Sequence, residues 1–112
     1  IEPDGKLIRR RIFADMSSDE TDGVPDGMKV DAEGRVFCTG PGGTWVFAPD
    51  GTRLGIIRTP EVPANCAFGG RDLKTLFLTA RTSVYALRVK TPGRPHPWYS
   101  LRSEAMTGAR KR

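Results

Sequence analysis

The sequence predicts an all-β protein made of β-propeller blades. Each blade is a four-stranded antiparallel sheet, and the chain contains about two to two and a half blades. The main observation is a repeat: Pro25 returns as Pro63 after 38 residues, and Phe37 returns as Phe77 after 40. Each copy also divides into short β-forming runs separated by turn residues. A period of about 40 residues with four strands is typical of propeller blades, and a ring needs at least about four of them. The chain is therefore too short to close a propeller by itself.

The first complete blade is predicted over residues 26–59. Its third run, with Trp45, Val46 and Phe47, is rich in residues that favour strands. The joins are tight turns containing Gly, Pro and Asp, and strands joined in this way are antiparallel neighbours. The predicted strands are Met28–Asp31, Arg35–Thr39, Thr44–Ala48 and Leu54–Thr59.

Parts of two further blades flank this unit. Residues 64–90 supply three strands, Cys66–Phe68, Leu76–Thr79 and Val84–Val89, and no fourth, because residues 91–97 are rich in proline. Ile8–Phe13 is predicted as the outer strand of a preceding blade, since the turn Pro3-Asp4-Gly5 before it echoes Pro49-Asp50-Gly51. We therefore divide the chain into a partial propeller over residues 1–93 and a basic, proline-containing C-terminal tail over residues 94–112.

Charge and composition exclude several classes of partner. The net charge is +5, but residues 94–112 carry +4 of it, so the basicity belongs mostly to the tail. A basic chain end is usually solvated, and we do not expect a nucleic-acid partner. No apolar run approaches the ~20 residues of a membrane span, and no leader follows Ile1. We expect a cytoplasmic protein without a membrane partner.

The two cysteines, Cys38 and Cys66, lie in apolar segments without the spacing of a zinc site. They are expected to be buried free thiols, with a disulfide between them as the alternative. His96, the only histidine, lies among prolines and is a poor candidate for acid–base chemistry.

The candidate site lies where the inner strands of successive blades begin. Asp26 and Asn65 occupy nearly equivalent places just before these strands, so the repeat puts them side by side at one mouth of the channel. Carboxylate and amide oxygens are ligands that suit calcium or magnesium. The alternative is structural, because Asp-Gly is a common turn dipeptide and Asp26 could accept hydrogen bonds from its own turn.

Several blocks together resemble the gluconolactonase and regucalcin (senescence marker protein) family. They run in order at blade spacing from residue 1 to about residue 93: Pro25-Asp26-Gly27-Met28 through Phe37, Gly40-Pro41-Gly42-Gly43, Val46 through Gly51, and Pro63-Ala64-Asn65-Cys66 through Arg81. The resemblance implies the C-terminal portion of a six-bladed propeller. It also implies hydrolysis of a sugar lactone at a divalent cation, with calcium as the first choice and zinc, magnesium or manganese as alternatives.

The resemblance assigns one metal ligand to this chain, Asp26, which also becomes the candidate general base toward water. The family's other two ligands, a Glu and an Asn, belong to blades that this sequence does not contain. By position, Asn65, Arg81 and Thr39 are the candidates for contacts with substrate oxygens. We therefore expect a single copy to bind the cation poorly and to be inactive.

A second function remains open beside the lactonase. Partial propellers have open blade edges, which favour pairing with other strands. Copies of the chain could then associate through these edges into a homo-oligomer that acts as a non-catalytic binding or assembly module.

Overall fold

The computed structural model describes residues 1–97 and contains seven strands in two antiparallel sheets. The first sheet has the order β1-β2-β3-β4 and the second the order β5-β6-β7. The strands are β1 (Met28–Val30), β2 (Val36–Gly40), β3 (Gly43–Phe47), β4 (Arg53–Ile57), β5 (Asn65–Gly69), β6 (Thr75–Thr79) and β7 (Val84–Arg88). Each predicted strand between residues 28 and 89 is confirmed, with its ends displaced by at most two residues.

The two sheets pack face to face around one core. Leu76 and Leu78 of β6 are completely buried, and they form a cluster with Phe37 of β2 and Cys66 of β5. Phe37 meets Phe68 edge to face, with ring centroids 5.2 Å apart. Alternate residues of a strand point to opposite faces, so β2 uses Phe37 toward the second sheet and Val36 and Cys38 away from it.

The face of the first sheet that points away from the second sheet forms another apolar cluster. Cys38, Trp45 and Phe47 are buried there, and Met16 from the N-terminal region covers them. Phe13 packs edge to face on Phe47 with ring centroids 6.0 Å apart. The N-terminal region thus lies across part of this face.

The predicted strand over Ile8–Phe13 is absent from the structure, which shows irregular backbone there. A strand needs a neighbour for its N–H and C=O groups, and none of the seven strands pairs with this segment. The turn before it nevertheless forms as predicted. Gly5 donates to the Glu2 carbonyl (2.9 Å), as Gly51 donates to the Ala48 carbonyl (2.9 Å). The repeat therefore extends to the turn but not to the strand.

The segment Pro92–Arg94 fastens the two sheets together at the end opposite Asp26. Gly93 N–H donates to the Leu73 carbonyl (2.9 Å), and Arg94 N–H donates to the Val30 carbonyl (3.0 Å). The predicted boundary at residue 93 therefore cuts through a structured contact, because Arg94 still bonds to β1. The rest of the predicted basic tail, from residue 98 to residue 112, lies outside the described residues.

Within residues 1–97, no helix is long and apolar enough to cross a membrane. The second sheet has no fourth strand in this part of the chain, as the sequence predicts.

Candidate functional site

Asp26 and Asn65 lie at the starts of two neighbouring strands, as the repeat predicts. Gly27, which follows Asp26, donates its N–H to the Ala64 carbonyl (3.0 Å). A Cβ added at Gly27 would lie 2.0 Å from Asn65 Oδ1, so only glycine lets the two strands approach this closely. Both Asp26 and Asn65 are exposed. The structure thus brings a carboxylate and an amide to the same end of the two sheets.

Thr39 holds this arrangement together. Its side chain is completely buried, and its hydroxyl accepts from Gly27 N–H (3.0 Å) and donates to the Ala64 carbonyl (2.9 Å) or the Gly27 carbonyl (3.2 Å). These bonds join the residues before β1 to the residues before β5. A hydroxyl with one hydrogen has no further donor to offer. The structure therefore does not support the predicted contact between Thr39 and substrate, and gives Thr39 a positioning role instead.

Asn65 is also held by its own strand. Its Oδ1 accepts a hydrogen bond from Cys66 N–H at 2.8 Å. The bond fixes the side-chain amide at the start of β5, and a carbonyl oxygen has a second lone pair for another partner. Asn65 is thus an oriented oxygen donor beside Asp26.

Arg81 lies in the exposed turn between β6 and β7. Because Asn65 pairs with Thr79, this turn is at the same end of the second sheet as Asn65. Glu61, which was not among the predicted site residues, lies close by in the loop between the sheets. Its carboxylate accepts from the Thr82 hydroxyl and from the Tyr85 hydroxyl (3.3 Å), and the bond from Thr82 lowers the pKa of Glu61. Its place in a loop beside Asn65 was the only sequence signal for it.

Three loops meet near this end of the sheets. A shallow cavity of about 370 Å³ lies between the loop before β1, the β2–β3 turn and the loop before β5. Gly42 lies against Thr21 and Arg58 from two of these segments. Its lining includes Asp22 and Glu61 together with the apolar Pro60 and Val62. The candidate residues Asp26, Asn65 and Arg81 do not line it.

The donors in the described residues do not make a complete metal site. Asp26 and Asn65 have the hard oxygen atoms that calcium or magnesium prefers. Calcium takes six to eight such oxygens, however, and no three His, Cys, Asp or Glu side chains within residues 1–97 come together as a metal-binding group. The residues of one copy therefore fit a divalent cation only in part.

The cysteines take no part in this site. Both are free and buried, and they lie in different clusters, Cys38 on the outward face of the first sheet and Cys66 between the sheets. Burial raises the pKa of both thiols, that of Cys66 to about 11. Neither is therefore a reactive thiolate at neutral pH.

Comparisons with known proteins identify the relatives of this chain. A family model described as the SMP-30/Gluconolactonase/LRE-like region matches residues 1–82. The gluconolactonase of Zymomonas mobilis is 39% identical over 93 residues, which are 81% of this chain and 26% of that protein. The pentonolactonase XacC of Haloferax volcanii is 41% identical over 81 residues, 70% of this chain and 27% of that protein.

The likeness extends to an animal protein and to a solved structure. Regucalcin of Danio rerio is 38% identical over 80 residues, 68% of this chain and 26% of that protein. The structure of a gluconolactonase from Xanthomonas campestris superposes with a TM-score of 0.60 at 35% identity, covering 77% of this chain and 26% of that one. The chain spans about a quarter of the length of the relatives that it matches.

Proposed function

The chain belongs to the SMP-30/gluconolactonase/LRE-like family, and on that premise we propose that it carries part of the site of a metal-dependent sugar lactone hydrolase. The observation that supports this most directly is the pairing of Asp26 with Asn65 at one end of the two sheets. The names of the relatives, gluconolactonase and pentonolactonase, support a sugar lactone as the substrate class.

In this proposal each residue at the mouth has one task. Asp26 provides one ligand to the cation and accepts the proton of the water that attacks the lactone carbonyl. The Asn65 amide and the exposed Arg81 guanidinium contact hydroxyl and ring oxygens of the substrate. Thr39 touches neither substrate nor cation, and it fixes the spacing between Gly27 and Ala64 on which the approach of Asp26 to Asn65 depends. The bound cation, calcium in the first instance, supplies electrophilic polarisation of the carbonyl.

A single copy of this chain is proposed to be inactive. The donor set in residues 1–97 falls short of a cation site, so cation affinity is expected to be weak, in the millimolar range, as for sites with few fixed oxygens. Without the cation, the positive charge that stabilises the developing oxyanion is missing, and the electrostatic part of the rate enhancement is lost with it. The remaining ligands must then come from other blades, either of a longer chain or of other copies.

The proposal is tested by cation binding and by hydrolysis of glucono-1,5-lactone in a pH-stat. Calorimetric titration with Ca²⁺, Mg²⁺, Mn²⁺ and Zn²⁺ compares the wild type with Asp26→Asn and with the control Asp50→Asn, which changes an exposed carboxylate in the β3–β4 turn, at the opposite end of the first sheet. We expect Asp26→Asn alone to weaken cation binding at least tenfold. Equal weakening by Asp50→Asn would contradict the assignment of Asp26.

The activity measurement is made on material of known mass. At the mass of one chain we expect no hydrolysis above the uncatalysed rate. Clear hydrolysis by the single chain that Asp26→Ala abolishes would overturn the proposed inactivity and leave the role of Asp26 intact. Hydrolysis that persists undiminished in Asp26→Ala would instead overturn the proposed site.

A further inference from the structure

The cavity between the loop before β1, the β2–β3 turn and the loop before β5 is separate from the group formed by Asp26, Asn65 and Arg81, none of which lines it. Its volume of about 370 Å³ lies within the range of about 300–1,000 Å³ that is usual for small-molecule sites. The loops that form it belong to the interior of the chain, between residues 21 and 62. Its lining residues are Thr21, Asp22, Gly42, Arg58, Thr59, Pro60, Glu61 and Val62.

The lining combines hydrogen-bond donors with acceptors. Arg58 brings a guanidinium group, which has N–H donors and no acceptor. Asp22 and Glu61 bring carboxylates, which only accept when they are ionised. The hydroxyls of Thr21 and Thr59 add further polar atoms. A ligand that satisfies all of these groups must itself both donate and accept hydrogen bonds.

Glu61 is held in place by the chain itself. Its carboxylate accepts from the Thr82 hydroxyl through one oxygen and from the Tyr85 hydroxyl (3.3 Å) through the other. The Thr59 hydroxyl donates to the Glu61 carbonyl (2.7 Å), which braces the loop before β5. A carboxylate has about four lone-pair sites, so each oxygen keeps the capacity for another bond. Glu61 is therefore an oriented acceptor with room for a ligand hydroxyl.

The charged groups of Arg58 and Asp22 are not used within the described part of the chain. Across residues 1–97 neither side chain makes a hydrogen bond or a salt bridge. The guanidinium nevertheless has a defined place, because Arg58 Nη1 lies 3.4 Å from the position of a Cβ added at Gly42. The Thr21 hydroxyl lies 3.3 Å from the same position, and Ser18 Oγ is 3.0 Å from it. Two polar groups thus meet over the β2–β3 turn.

We propose that this cavity binds one neutral sugar unit, with Arg58 donating to its hydroxyl oxygens and with Asp22 and Glu61 accepting from its hydroxyl groups. Sugar hydroxyls both donate and accept, so they match a lining that contains both signs of charge. A simple anion would meet two carboxylates. A metal ion would meet the guanidinium, and no three His, Cys, Asp or Glu side chains within residues 1–97 come together as a metal-binding group.

The sugar unit has two possible sources. It is either a free sugar or the second unit of a larger lactone whose first unit lies at Asp26. Only the second source rests on the proposed lactonase function. The binding experiments are made without added cation, so a failure of cation binding at Asp26 leaves their result unaffected.

The first experiment titrates the ¹⁵N-labelled full chain with methyl β-D-glucopyranoside and follows the backbone amide signals by NMR. We expect a dissociation constant of about 1–10 mM, because a ligand of this size makes few contacts in a shallow site. The signals that move should be those of lining residues such as Gly42 and Glu61. Sodium phosphate and CaCl₂, at matched ionic strength, test for an anion site and a cation site.

Three variants test the assigned hydrogen bonds. Arg58→Gln and Asp22→Asn change exposed side chains, so the fold should be unaffected. Each of them, and Glu61→Gln, should raise the dissociation constant about tenfold, as expected for the loss of one hydrogen bond to a charged group. If the NMR spectrum of Glu61→Gln shows a general loss of structure, the two exposed variants alone carry the test. The control is Arg71→Gln, in the exposed β5–β6 turn at the opposite end of the second sheet, which should bind as the wild type does.

Three results would overturn the proposal. The first is a glucoside that moves no lining signal at about 100 mM, ten times the upper expected constant. The second is saturation of the same signals by phosphate or Ca²⁺ at lower concentration than by the glucoside. The third is binding by Arg58→Gln and Asp22→Asn that equals binding by Arg71→Gln.

Maltitol separates the two sources of the sugar unit. This neutral compound joins a glucosyl unit to an open-chain sugar alcohol, which resembles a hydrolysed lactone. A second unit of a larger lactone predicts that maltitol binds at least tenfold more tightly than the glucoside and also moves the amide signals of Asn65 and Arg81. A free sugar predicts equal affinity, with movement confined to the lining signals. Maltitol that moves signals only outside the lining would contradict the site for both sources.

Discussion

The hydroxyl of Thr39 offers a sharp test of how the two sheets are held together. Thr39→Val keeps the shape of the side chain and removes its hydroxyl, which accepts from Gly27 N–H and donates to the Ala64 carbonyl. Gly27 N–H keeps the Ala64 carbonyl as its other acceptor, so no donor is left wholly without a partner. At about 1 kcal/mol for each hydrogen bond lost, the free energy of unfolding should fall by about 2 kcal/mol.

Thr44 supplies a matched control in the same pair of strands. Thr44 lies directly opposite Thr39 and is equally buried, but within the described part of the chain its hydroxyl has no hydrogen-bond partner. Thr44→Val therefore removes a buried hydroxyl that makes no hydrogen bond. The free energy of unfolding should stay unchanged or rise by about 1 kcal/mol. The same substitution is thus predicted to destabilise the protein at Thr39 and not at the facing Thr44.

Urea unfolding followed by circular dichroism measures both variants. With a slope of about 1–2 kcal/mol per molar urea for a chain of this size, Thr39→Val should lower the midpoint by about 1–2 M. Thr44→Val should leave the midpoint in place or raise it. Equal midpoint shifts for the two variants would refute the assignment of a linking role to the Thr39 hydroxyl.

Three further predictions concern pH, thiol chemistry and steric fit. The hydrogen bond from Arg88 holds the pKa of Asp72 below its usual value of 3.8. The ionised Asp72 therefore stabilises the fold above pH 3.8, and this stabilisation is lost as the pH falls below that value. The urea midpoint of Asp72→Asn should accordingly fall less between pH 6 and pH 2 than that of the wild type. The raised pKa and burial of Cys66 predict thiol labelling by a disulfide reagent at pH 8 at least ~100-fold slower in the native chain than in urea, and equal rates would contradict its burial. A Cβ at Gly93 would lie 2.3 Å from Phe68 Cβ, so Gly93→Ala should cost about 1–3 kcal/mol in urea unfolding, whereas Gly55→Ala, which meets no atom within 4 Å, should cost under 1 kcal/mol.

The sequence predicts most of the fold because local chemistry and the repeat agree. The turns at Asp31–Gly34 and Pro49–Gly51 form as predicted, and the strands between them follow from β-forming runs such as Trp45–Phe47. The strand over Ile8–Phe13 fails for a tertiary reason. Its residues favour a strand, but a strand exists only where another backbone accepts its hydrogen bonds, and residues 1–97 of one copy provide none there.

The candidate site was predictable in position but not in detail. The repeat alone places Asp26 beside Asn65, because equivalent positions of adjacent blades lie at the same end. The repeat could not show that the Thr39 hydroxyl makes its hydrogen bonds to backbone groups, because these bonds depend on the close approach of Gly27 to Ala64. The place of Glu61 at this end of the sheets could not be predicted, because its hydrogen-bond partners, Thr82 and Tyr85, are more than twenty residues away in the chain.

The contact made by Pro92–Arg94 has a consequence for how the chain folds. Its bonds reach back to Val30, Ala32 and Leu73, so the bridge between Asp31 and Gly93 encloses most of both sheets in one loop of sequence. Such a distant contact contributes only after a large loss of chain entropy, which slows folding in proteins with many non-local pairings. During synthesis the two sheets can form their hairpins one after the other and can meet at the Thr39 end, but the opposite end is joined only once the residues around Gly93 have emerged.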